Sequence, residues 1–349
     1  MTSQINHRPP AFEGDEDYQP NYKVLLEDER MQLNSLIEDG FLYIEKMLSV
    51  YEYPCGFYRA SNSSSEWTHF LKVLPDAFWE VEHFAASVEA HLVKSKVAAR
   101  EFECQRFTYQ HNAFFYCRMP FMEFDSLSGS IDEAEKLGIY LREVHQCLNK
   151  LPLKNSVKSR WLQNKSLYFN SLQKSFSKEA RQVMPVFIEE THLNLINTDK
   201  AMLNFDLAQA QVVHSDLNPG NILFNVQPYG APKKDFMLID YEISFFSYFP
   251  KEFDVAMLIQ RLFLERFSEE KSYKLMLFFL KGYGQLDYDL ISAMKAMSIR
   301  SLLILLHRVM SGNTVKKSEW LKFIDLYMGI QKNEKNIRHQ LAYSVRQPL

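Results

Sequence analysis

The chain has 349 residues, 46% of them apolar and 24% charged, which is enough for about two domains with cores of their own. Its net charge of −3 supplies no basic field, so wholesale binding to nucleic-acid phosphates is disfavoured. The four cysteines, Cys55, Cys104, Cys117 and Cys147, form no C-x-x-C pair, which argues against a zinc site and fits a reducing compartment. Residues 1–22 have neither the basic front nor the apolar centre of a secretory leader. Apolar runs such as residues 302–306 fall far short of the about 20 residues that span a bilayer. The expectation is a cytoplasmic protein with no membrane or nucleic-acid partner.

Residues 1–24, polar and with an acidic run at 13–17, read as a disordered tail. Leu33, Leu36, Ile37, Phe41, Ile44 and Leu48 fall at helical spacing and predict one helix over 27–48. Residues 51–60 and 67–74 are rich in β-formers and flank Ser61-Asn62-Ser63-Ser64-Ser65, which predicts a hairpin with a polar turn. On the second of these strands Lys72 stands among Phe70, Leu71 and Val73. A lysine there needs a carboxylate or a ligand anion, since burying an unpaired charge is costly. The helix predicted next, over 77–97, offers Glu80, Glu82 and Glu89 as partners, and Glu89, late on the helix, is preferred. A strand over 114–122, a helix over 131–148 and a polar helical region over 150–197 follow. From Asp254 to about residue 337, Met, Leu and Phe recur at helical spacing and predict nearly continuous core helix.

Residues 211–242 carry the chemistry. Gln211-Val212-Val213 predicts a short strand delivering His214, and Asn218-Pro219-Gly220 is turn chemistry. Two further strands, 222–225 and 236–239, are joined by a segment with Pro228, Gly230 and Pro232, and leave Asp240 at a strand end. Asp216 and Asn221 are five residues apart and His214 stands two before the acid, the H-x-D-x-x-x-x-N spacing of a kinase catalytic loop. Phosphoryl transfer needs a carboxylate to take the proton of the attacking hydroxyl and hard oxygen ligands to hold Mg²⁺ on the phosphates. Asp216 is the candidate base, with Asn221 and Asp240 the candidate metal ligands. His214 reads as a structural residue that holds the loop. Each of these alone has a plainer role as a turn, cap or core residue; the set in its strand-loop-strand-strand context points to catalysis.

That loop, Asp240, the segment Phe253-Asp254-Val255-Ala256-Met257-Leu258-Ile259 and the stretch 137–145 ending in Val144-His145 resemble the aminoglycoside phosphotransferase and choline kinase group, small-molecule kinases of protein-kinase-like fold. The similarity runs from residue 51 to about residue 310. Ser215 stands where the group usually has glycine, and Asn218 where histidine is frequent. The resemblance implies an α+β, two-lobed fold, with a small antiparallel β lobe over 25–122 and a larger, mostly helical lobe over 123–349. It implies ATP and Mg²⁺, with Lys72 on the ATP phosphates and Glu89 as its partner. Ser63 and Ser64 would lie at a hairpin tip over the phosphates, and backbone groups near Met119, Phe121 and Met122 would read the adenine edge. The turn lacks a glycine-rich fingerprint and is equally an exposed polar turn; residues 114–122 are equally a buried strand without ligand contact.

The expected partners are ATP and a small hydroxylated acceptor, a sugar, an aminoglycoside or an amino alcohol. Aromatic residues, 14% of the chain, are too many to mark a choline cage, and Glu265, Glu269 and Glu270 suit a solvated helix face as well as an acidic pocket. Two rivals remain: a catalytically silent kinase-like scaffold, and an atypical protein Ser/Thr kinase. Against the latter, the 14 residues from Asp240 to Asp254 contain no Ala-Pro-Glu and leave little room for an activation loop.

Overall fold

A computed structural model describes residues 21–346 apart from 49–50, 65, 99–102 and 231, so most of the expected N-terminal tail lies outside the described residues. The first elements are β1 (Tyr22–Val24), α1 (Glu27–Leu36), β2 (Tyr43–Met47), β3 (Gly56–Ser61), β4 (His69–Pro75), α2 (Trp79–Lys94), β5 (Glu103–Tyr109), β6 (Asn112–Pro120) and β7 (Met122–Asp125). Next come α3 (Ile131–Leu148), α4 (Lys154–Ser175), α5 (Lys178–Val183), α6 (Glu190–Asp199) and β8 (Ala210–Val212). The chain ends with β9 (Ile222–Pro228), β10 (Lys234–Leu238), β11 (Tyr248–Pro250), α7 (Glu252–Leu258), α8 (Glu269–Tyr283), α9 (Leu290–Met310) and α10 (Lys317–Arg346).

Two compact units result. The first runs to Leu127 and takes back Pro219–Phe245; the second holds Ser128–Asn218 and the chain from Phe246 on. The β9–β10 hairpin joins the first unit because β7 pairs with β9, Met122 opposite Pro228 and Asp125 opposite Phe224. A boundary at 122 therefore misses a pairing that spans about a hundred residues of sequence, and β1 places residues 22–24 in a sheet rather than in a tail.

In the first unit six antiparallel strands run in the order β1-β2-β3-β4-β6-β5. The period of two along β4 sorts its side chains between two cores. Leu71 and Val73 join Leu33, Ile37, Phe41, Ile44, Tyr58 and Tyr116 under α1, while Leu74 joins Phe115, Cys117 and Met119, against which Phe70 and Trp79 pack. Lys72, of the same parity as Phe70 and Leu74, shares their face. The helix expected over 27–48 stops at Leu36. Glu38 takes a positive φ of 53°, Gly40 follows, and the Asn34 side chain both donates to the Phe41 carbonyl (2.8 Å) and accepts its N–H (3.0 Å), so the chain turns back into β2. Phe41, Ile44 and Met47 become the buried set and Leu48 is left outside.

The second unit is built on helices. The predicted helix over 131–148 is α3, and the expected continuous helix after Asp254 is broken into α7 with a following π turn, α8, α9 and α10. Among the described residues α9 alone is long and apolar enough to cross a membrane; 72% of that window is buried inside the unit, which makes it a core helix here. Helices α3 and α8 touch backbone to backbone at two glycines. A Cβ on Gly138 would lie 2.1 Å from the Phe279 carbonyl oxygen, and one on Gly282 would lie 1.9 Å from that of Glu135. This crossing brings His145 of α3 and Tyr283 of α8 within hydrogen-bond reach of each other (2.7 Å). Gly138→Ala and Gly282→Ala should each destabilise the protein by about 1–3 kcal/mol through overpacking, measured by urea unfolding; a neutral result at both would show that the helices separate freely.

Candidate active site

Lys72 is buried, with 9% of its side chain exposed, and it is paired. Its ammonium donates to both carboxylate oxygens of Glu82 (3.3 Å each) and to Glu242, and Asp240 Oδ1 lies 3.5 Å away. All four residues belong to the first unit. Burial works against the ammonium, but Glu242, Glu82 and Asp240 outweigh it and hold the Lys72 pKa well above the ordinary lysine value. Burial first, and then the charge of Glu242, push the Glu82 carboxyl well above the usual carboxylate range. The cluster thus carries one positive and three potentially negative groups in a half-dry setting.

The partner on α2 is Glu82 and not Glu89. Both are buried, and seven residues put them on one helix face, but Glu89 lies two turns farther on, roughly 10 Å along the axis. Glu82 sits in the first turn, where the helix dipole favours a carboxylate, and it is the one that reaches Lys72. Glu242 was not anticipated from the sequence. Its signal is an acid two residues after Asp240, directly following Tyr241, which is fully buried.

Asn221 and Asp240 meet at one end of the β9–β10 hairpin. Leu238 pairs with Ile222, and one step farther the Ile239 N–H donates to the Asn221 carbonyl (3.1 Å). Asn221 is buried, whereas 38% of the Asp240 side chain is exposed. Asp240 adopts a positive φ of 66°, a conformation uncommon outside glycine that clusters at functional positions. Ser63 and Ser64 are exposed at the β3–β4 turn, where the Ser63 N–H donates to Ser61 Oγ (2.9 Å); Ser65 lies outside the described residues. Met119 is buried opposite Phe70, and Met122 packs on Leu223, Val226 and Met237. The Phe121 N–H donates to the Thr68 carbonyl (2.9 Å) and its own carbonyl accepts from Tyr229 (3.0 Å). The Phe121 N–H is therefore committed to the β sheet rather than offered to a base.

Asp216 belongs to the second unit, where the residues before it are pinned by Asp254. That carboxylate is fully buried and accepts the His214 N–H (2.7 Å), the Ser215 N–H (2.7 Å) and His145 Nε2 (3.0 Å). Burial alone would raise its pKa; the hydrogen bond and charge of His145, His214 and the Ser215 N–H more than offset this and hold it below the usual range. Ser215 has a φ of 66°, the left-handed conformation that glycine takes at no steric cost, and the two bonds to Asp254 secure that turn. The His214 ring is buried, and the Val213 N–H donates to the Ser247 carbonyl (3.3 Å). Asp216 is left half-buried at the tip. The role of Asp254 as the loop's anchor was not read from the sequence, although an acid inside the apolar run 253–259 signals it.

No protein-family model matches the sequence, and no curated protein does. Solved structures match it in fold. Spectinomycin phosphotransferase APH(9)-Ia, solved with ADP and spectinomycin, is similar with a TM-score of 0.50 and 15% identity, covering 89% of this chain and 95% of its own. Choline kinase LicA from Streptococcus pneumoniae is similar with a TM-score of 0.51 and 12% identity, covering 87% of this chain and 96% of its own. The chain has the fold of these enzymes, a protein-kinase-like fold with a small antiparallel β lobe and a larger helical one.

Replacing Lys72 by methionine leaves the buried Glu82 and the mostly covered Glu242 without their cation, and should cost about 3–5 kcal/mol near pH 7. A carboxyl whose folded pKa lies above its unfolded value binds protons more tightly when folded, so its contribution is largest at low pH and is lost as pH rises through the folded value. The deficit of Lys72→Met relative to wild type should therefore shrink on going from about pH 7 to about pH 5 in urea unfolding. An equal deficit at both would contradict the cluster.

Proposed function

We propose that this protein is an ATP-dependent phosphotransferase that moves the γ-phosphate to a hydroxyl of a small acceptor. The observation that carries the reading is the ion-pair set on Lys72. Kinase phosphoryl transfer depends on a strand lysine paired to a helix glutamate, together with a metal-binding acid after the catalytic loop. Here Lys72 on β4 pairs with Glu82 on α2 and stands 3.5 Å from Asp240. The fold shared with a phosphotransferase solved with ADP supports the same reading.

Lys72 is assigned to the ATP phosphates, with Glu82 and Glu242 keeping it charged and in place. Asp216, on the loop anchored by Asp254, is assigned to accept the proton of the acceptor hydroxyl. Among the described residues no three His, Cys, Asp or Glu side chains gather into a self-sufficient metal cage. Magnesium seldom needs one, being held by one or two carboxylates with waters and substrate phosphates, and the accessible Asp240 carboxylate with the Asn221 amide suits that mode. The ion would neutralise charge developing on the phosphates. The rate enhancement on this account comes from positioning and charge stabilisation. The four cysteines are all free thiols, which supports a reducing, cytoplasmic setting.

Asp216→Asn should lower turnover by about 10²–10⁴-fold while leaving ATP affinity within a few-fold of wild type, followed by a coupled ADP assay and calorimetry. Asp240→Ala should lose Mg·ATP binding itself. Wild-type turnover in purified Asp216→Asn would remove the proposed base.

A further inference from the structure

Arg300, on the core helix α9, is buried with 7% of its surface exposed, yet it makes no ion pair with a carboxylate among the described residues. Its one hydrogen bond runs from Nη2 to the neutral Ser247 Oγ at 3.3 Å; Nε is buried without an acceptor, and the Phe249 ring lies 5.1 Å from the guanidinium carbon. Five N–H donors in a dry site with one long bond is an unfinished arrangement, because buried charges are ordinarily paired. The ionisable groups that act on it are Tyr168, Asp216 and Asp254, all in the same unit. Asp254 already accepts from three other donors, and none of them is Arg300.

Arg300 is placed by the elements that place the candidate base. Ser247 carries the hydroxyl that meets Arg300, and its carbonyl accepts from Val213 at the start of the Asp216 loop. A second observation concerns α4, which contributes Tyr168. Over its 22 residues it carries Lys154, Lys158, Arg160, Lys165 and Lys174 and not one acid, and Lys158 Nζ lies 5.9 Å from the ring of Tyr248, between Ser247 and Phe249 in sequence. Lys158 thus brings a second cation to the short strand that follows Ser247.

We propose that Arg300 binds an anionic group of the acceptor, so that the molecule phosphorylated carries a carboxylate or a phosphate beside its hydroxyl. This rests on the phosphotransferase reading and narrows it, away from cationic acceptors. No covalent step is added: the anion completes the ion pair of Arg300 and fixes the hydroxyl relative to Asp216.

The test is calorimetric titration of the whole chain with glycerate, glycerol 3-phosphate, inorganic phosphate, glycerol and choline, and separately with Mg·AMP-PNP. Glycerate or glycerol 3-phosphate should bind the wild type, and which of the two does so distinguishes carboxylate from phosphate. Affinity should fall by at least about 30-fold in Arg300→Met and by less in Arg300→Lys, which keeps the charge and guards against misfolding of the methionine variant. Choline or glycerol binding more tightly than both anions, undiminished anion affinity in both variants, binding of inorganic phosphate alone, or no binding by either anion would overturn the proposal. Failure of Mg·AMP-PNP to bind the wild type would instead remove the phosphotransferase reading, so the two failures are told apart.

Discussion

A single buried ammonium, Lys72, is the constraint on which the β unit's site depends. Its strand sends it to the face covered by α2, and three acids converge on it: Glu82 from the helix, and Asp240 and Glu242 from the segment after β10. Two of them lie almost out of solvent. An isolated charge there would be costly, but the lysine and the acids make one another tolerable. The raised Glu82 pKa shows where the compromise falls, since that carboxyl resists ionisation while the lysine holds its proton. Asp240 is the most exposed of the three acids, with 38% of its side chain open to solvent.

The helical unit uses the opposite arrangement. Asp254 is a buried anion that serves backbone rather than a lysine, and its oxygens take two consecutive N–H groups and a histidine. Its cost is offset by complete satisfaction, which is why its pKa lies low instead of high. The glycine contacts of α3 and α8 feed this centre, because the same crossing sets His145 against Tyr283. A non-glycine residue in a left-handed turn, Ser215, is held by the result.

What could be read from residues alone divides along physical lines. Lys72 was legible because a charge amid Phe70, Leu71 and Val73 demands a partner whatever the fold. Its partner was not, because Glu82 and Glu89 differ by seven residues and so share a helix face; periodicity gives the phase of a helix and not its position along the axis. The helix over 27–48 failed for a related reason. Phe41 and Ile44 fit the helical spacing of Leu33 and Ile37 and also serve a strand, and only Glu38, Gly40 and the Asn34 clasp decide between them. The H-x-D-x-x-x-x-N loop and Asp240 were visible as spacing and strand-end logic. The pairing of β7 with β9, which moves residues 219–245 into the first unit, joins segments too far apart for any local pattern to show.

Phosphoryl transfer to a hydroxyl stands or falls on ³¹P NMR of the purified chain with Mg·ATP and a pooled set of hydroxylated metabolites. The γ-phosphate signal should fall while ADP grows and a new phosphomonoester resonance appears. ATP left intact with every pool, or release of inorganic phosphate alone, would contradict it.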